Sequence, residues 1–104
     1  FDRAIVGSAL VIGAVDEDGR TLGFARVVSD GATFAWLCDV FVLESARGFG
    51  LGKLIVDAAV NHPSMACVNR YLLATADAHG LYAQFGFEPL DRPEHWMSRP
   101  RPRI

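Results

Sequence analysis

Arg47-Gly48-Phe49-Gly50-Leu51-Gly52-Lys53 stands where one hydrophobic pattern gives way to another. Before it, residues 33–43 (TFAWLCDVFVL) run apolar and rich in aromatics and valine, which predicts a strand. After it, Leu51, Leu54, Ile55, Ala58 and Ala59 fall at i, i+3, i+4, i+7 and i+8, one face of a helix that Pro63 stops near His62. A glycine-rich turn from strand to helix lets the backbone approach a ligand and present successive N–H groups. The helix N-terminus adds about half a positive charge, so the segment suits phosphate or pyrophosphate. Arg47 and Lys53 add cationic side chains. The bland alternative is a turn without a ligand.

The same reading extends outward. Residues 9–15 (ALVIGAV) and 22–28 (LGFARVV) are apolar runs separated by the polar turn 16–20 and closed by Ser29-Asp30-Gly31. Apolar residues at both parities predict strands covered on both faces. Residues 70–75 (RYLLAT) predict a further strand. Asp77 is a candidate N-cap for a helix over residues 78–85, and Gly86 suits its left-handed C-terminus with Phe87 as hydrophobic partner. Residues 87–90 and 94–98 are candidates for two last short strands. The order β-β-β-α-β-α-β predicts an α/β, or α+β, layered sheet.

Spacing discriminates among phosphate loops. A Walker loop needs glycine where Arg47 stands and Ser or Thr where Leu54 stands. The dinucleotide pattern G-x-G-x-x-G fails at Lys53, or at Ile55 if started from Gly50. The pattern R-x-x-G-x-G is met by Arg47, Gly50 and Gly52. A second segment, Leu81-Tyr82-Ala83-Gln84-Phe85-Gly86-Phe87, fits L-Y-x-x-x-G-F. Together, in this order, the two motifs resemble the acetyl-coenzyme A loop and following signature of the GNAT superfamily of N-acetyltransferases. The resemblance covers about residues 10–87, and residues 77–82 (DAHGLY) are similar to a bacterial subgroup of small, mostly uncharacterised members.

The resemblance implies the GNAT fold, a mixed and mostly antiparallel sheet with helices on both faces. It implies direct acetyl transfer from acetyl-CoA to a primary amine of a small molecule or protein, in a ternary complex. It carries over the N–H groups of Gly48, Gly50 and Gly52, with Arg47 and Lys53 flanking the pyrophosphate. Val40 and Val42 would hydrogen-bond the pantetheine arm, and the Val40 N–H would polarise the thioester carbonyl. Tyr82 is the expected acid for the leaving thiolate, because a phenol is protonated at neutral pH; its bland alternative is a core aromatic. Asp39 interrupts an apolar strand and is the candidate base for the amine; its alternatives are a bulge residue or a partner of Arg26. His79, three residues before Tyr82, is the runner-up. Thr75 stands where many members have Asn, on the pantetheine side. Glu44, Ala46 and Phe49 also depart from the family's habit, in a loop that acts through its backbone. The rival function is a sensor or interaction module of the same fold that binds acyl-CoA without turnover.

Composition narrows the rest. The 104 residues are 51% apolar and 21% charged, which excludes a disordered or low-complexity chain. A net charge of −2 argues against a nucleic-acid partner. Arg99, Arg101 and Arg103 alternate with Pro100 and Pro102, the composition of a solvated extended tail. No run of 18 apolar residues suggests a membrane span. Cys38 and Cys67 are expected as reduced core thiols of a cytoplasmic protein, and no His or Cys spacing suits a metal. Phe1 opens the sequence in mid-pattern, so a single N-acetyltransferase domain lacking about thirty residues, a first strand and helices, is expected. Residues 1–8 would be the end of that helical region. A truncated sheet edge makes pairing into a homodimer an expectation.

Overall fold

A computed structural model describes residues 3, 5 and 7–102. Strands β1 (Leu10–Val15), β2 (Thr21–Ser29) and β3 (Phe34–Val42) precede helix α1 (Leu51–Val60), strand β4 (Arg70–Leu72) and helix α2 (His79–Ala83). They build one sheet in the order β1-β2-β3-β4, antiparallel except for the parallel β3–β4 pair. The expected mixed, mostly antiparallel sheet is therefore found. The two hairpin turns are closed by aspartates. Asp16 Oδ1 accepts the N–H groups of Asp18 and Arg20, each at 2.9 Å. Asp30 Oδ1 accepts those of Ala32 and Thr33 at 2.9 and 2.8 Å.

One face of the sheet packs under α1. Ala25 and Val27 of β2, Ala35 and Leu37 of β3, and Ile55, Val56 and Ala59 of α1 are buried, joined by Met65 and Tyr82. The helix approaches β2 so closely that a Cβ added at Gly23 would lie 2.5 Å from Ile55 Cδ1. The helical stripe is not the expected one: Leu54 is exposed and Val56 takes its place. Both are apolar, and only the flat sheet beneath decides which one turns inward. On the other face, Val11, Val28, Phe34, Trp36 and Phe41 stay about two-fifths exposed. The turn leading into β1 adjoins that face, where Ser8 Oγ accepts from Arg26 at 3.3 Å. Coverage of both faces is thus only partial among the described residues, and the expectation over residues 1–8 falls partly outside them.

Three further expectations are corrected. Asp77 does not cap α2; Ala78 precedes the helix, and its N–H donates instead to Thr75 Oγ1 at 3.1 Å. Residues 87–90 and 94–98 form no strand; Pro89 and Pro93 lack the N–H a ladder requires, and residues 93–95 make a 3-10 turn. Cys67 is exposed, because Met65 fills the buried position beside it, and Cys38 is only part-buried. The C-terminus of α2 follows the pattern expected of Gly86. At a φ of 87°, Gly86 donates to the Ala83 carbonyl and Phe87 to that of Tyr82, and the Phe87 and Tyr82 rings meet edge to face at 5.8 Å.

Candidate functional site

The site begins where β3 and β4 part. Phe34, Ala35 and Trp36 pair with Arg70, Tyr71 and Leu72, and the ladder ends there while β3 runs on to Val42. The Leu43 N–H donates to the Leu22 carbonyl at 2.8 Å, on the β2 side. By alternation the backbone groups of Val42 and Val40 face the other way, toward the gap left by β4. Arg47 lies along this edge, its Nε donating to the Val42 carbonyl at 3.1 Å.

The loop that follows is shaped by glycines. Gly48 and Gly50 have φ of 89° and 78°, conformations a side chain would strain, and Gly50 is the N-cap of α1. No side chain caps this helix end. Its first intrahelical donor is Leu54, to the Gly50 carbonyl at 3.2 Å, so the N–H groups of Leu51, Gly52 and Lys53 have no acceptor within the helix. Around them lies a cavity of about 320 Å³. Val42, Arg47, Gly48, Gly50, Gly52 and Lys53 all line it. Ala46, Leu51 and Leu81 line it as well; no binding role was expected of them, although Ala46 and Leu51 belong to the loop and Leu81 to the second motif. Donors without acceptors, two cations and an open cavity fit a pyrophosphate.

The remaining candidates are distributed around this centre. Tyr82 is buried, one residue beyond Leu81, and burial pushes its phenol pKa above the usual value near 10. Val40 packs against the core. Thr75 uses its hydroxyl on the Ala78 N–H, a structural contact at the start of α2. His79 is exposed on the first turn of α2. Asp39 is half-exposed and forms an ion pair with Arg26, the pairing its sequence context allowed. It also has a φ of 53°, the sole non-glycine with positive φ among the described residues. The described residues contain no group of three or more His, Cys, Asp or Glu that could hold a metal, and no helix long and apolar enough to cross a membrane.

Known proteins resemble this chain in sequence and fold. Residues 7–89 match the family model described as "Acetyltransferase (GNAT) domain". An uncharacterized N-acetyltransferase, ycf52, of Pyropia yezoensis is 28% identical over 88 residues, covering 81% of this chain and 51% of its own length. The chain thus spans about half the length of that curated relative. A solved structure from Xanthomonas campestris pv. campestris, assigned to the GNAT family, is 50% identical with a TM-score of 0.89, over 97% of this chain and 70% of its own. A GNAT family acetyltransferase of Streptococcus pneumoniae TIGR4 is 25% identical with a TM-score of 0.74, over 98% and 75%.

Proposed function

This chain belongs to the GNAT acetyltransferase family, and from that premise we propose that it moves an acetyl group from acetyl-CoA to a primary amine. The observation that carries the reading is the cavity bounded by Gly48, Gly50 and Gly52 at the uncapped start of α1. Acetyl-CoA, when bound, supplies the acyl group in activated form as a thioester. The loop N–H groups, with Arg47 and Lys53, would hold its pyrophosphate. The outward-turned backbone of Val42 and Val40 would hold the pantetheine arm, with the Val40 N–H as donor to the thioester carbonyl. Thr75 would stand on the pantetheine side.

Tyr82 would give its proton to the leaving thiolate, and its burial favours this by keeping the phenol protonated. Asp39 would take the proton released by the amine, through a water. Direct transfer asks the chain to hold both reactants in one complex rather than to form an acyl-enzyme. The amine is a small molecule or a protein side chain or terminus.

Release of CoA thiol from acetyl-CoA, followed over a panel of primary amines, tests the proposal. Release that depends on the amine supports it. Binding of acetyl-CoA with no release over any amine points instead to the sensor of the same fold.

A further inference from the structure

We infer that Arg26 is a positioning residue for this site, acting through Asp39 to hold the backbone turn that aims Val40. The inference rests on the reading of Val40 as a cleft-facing donor. Its starting point is a break in register. Phe24 pairs with Phe41, but Arg26 pairs with Cys38, so β3 carries one residue more than β2 across this interval. The extra residue is a β-bulge, and Asp39 sits in it with its positive φ.

The bulge changes which side chains face the core. Before it, Ala35 and Leu37 are buried; after it, Val40 and Val42 pack inward. An unbroken alternation from Leu37 would have turned residues 39 and 41 inward and Val40 and Val42 outward. Phe41 instead stacks on Phe24 on the opposite face, with ring centroids 5.8 Å apart. A slip of one residue reverses every side chain and every N–H on a strand. The orientation of the Val40 N–H therefore depends on Asp39 keeping its left-handed conformation.

Asp is among the few non-glycine residues that tolerate that conformation, and it still needs support. Arg26 provides it from the neighbouring strand. Its Nε donates to Asp39 Oδ2, and its Nη1 reaches Ser8 Oγ at 3.3 Å. The guanidinium thus ties the bulge to β2 and to the turn before β1. Arg26 does not line the loop cavity; its effect on the reaction passes through the backbone at residues 39 and 40.

The test pairs backbone NMR with kinetics. In Arg26→Met, the chemical shifts of residues 38–42 should report loss of the positive φ at Asp39. In Arg26→Met/Asp39→Gly, glycine adopts that φ unaided, so the Val40 amide signal should return toward its wild-type position. Kinetically, Arg26→Met should lower kcat by about tenfold or more while KM for acetyl-CoA stays nearly constant, because the Val40 donor and Asp39, the two groups it disturbs, serve the transfer step while the loop at residues 47–53 still holds the pyrophosphate. An Asp39 φ that stays positive in Arg26→Met overturns the inference, whether or not the chain turns over acetyl-CoA. So does a lost φ with unchanged kcat. A wild type that neither binds nor turns over acetyl-CoA, with the φ change observed, overturns the proposed activity and the kinetic role while leaving the Arg26 tie to the bulge standing.

Discussion

Tyr82 joins packing to chemistry. Its ring is buried against Phe87, and the same burial raises the phenol pKa above the ordinary value. The proton proposed for the leaving thiolate is therefore retained throughout the neutral range. Tyr82→Phe should lower kcat by about a hundredfold, in the range of general acid catalysis, with acetyl-CoA affinity little changed. Steady-state kinetics beside a binding titration check this, and equal kcat for both proteins would remove Tyr82 from the mechanism. The sign for stability follows from the same shift. Tyr71, whose hydroxyl donates to the Ala59 carbonyl at 2.9 Å, is raised by burial too. A group with a raised folded pKa contributes stability that is full below the unfolded value, about 10, and fades as pH rises through the folded value. Denaturant midpoints should fall above about pH 10, and Tyr82→Phe should flatten that fall. At this scale the sequence was readable where a residue type had one use. Tyr82 stood in a spaced motif. Asp39 admitted three readings, and the structure displays two of them together, bulge residue and Arg26 partner. Thr75 could not be read, because its hydroxyl serves a local N–H that any Ser or Thr near a helix start can serve.

Among the elements, α1 does most to position the site, since its first turn supplies the donors and its buried stripe fixes it to the sheet. Gly50→Glu would place a carboxylate beside these donors and force a side chain into a φ of 78°. It should abolish acetyl-CoA binding, as read by titration, at a stability cost of about 1–2 kcal/mol. Ile55 is 2% exposed and touches the position where Gly23 admits it. Ile55→Ala should cost about 2–5 kcal/mol in chemical denaturation, and a loss well below that range would mean the helix rests less firmly on β2. The elements were legible in sequence because β1 to β3 are short continuous apolar runs bounded by turn residues, whereas α1 repeats its apolar positions at about 3.6. Their faces were less so. Leu54 and Val56 are equally apolar, and the choice between them is made by contact with the sheet. Residues 87–90 and 94–98 read as strands from composition, but prolines and a β4 of only three residues give them no ladder to join.

At the scale of the molecule, three facts combine. The sheet is covered on one face by α1 and only partly on the other. The β3–β4 ladder ends at Trp36 and Leu72, and beyond it the glycine loop lines a cavity with Val42 and Leu81. The order of elements from β1 through α2 was legible because turn residues punctuate it clearly. The separation of β3 from β4 was not, since no local pattern marks where a parallel ladder ends. The central claim is that the loop at residues 47–53 holds acetyl-CoA. An equilibrium titration of the chain with acetyl-CoA tests it most directly. The account predicts saturable binding at one site, competed by CoA and lost in Gly50→Glu; no saturable binding to the folded wild type would contradict it.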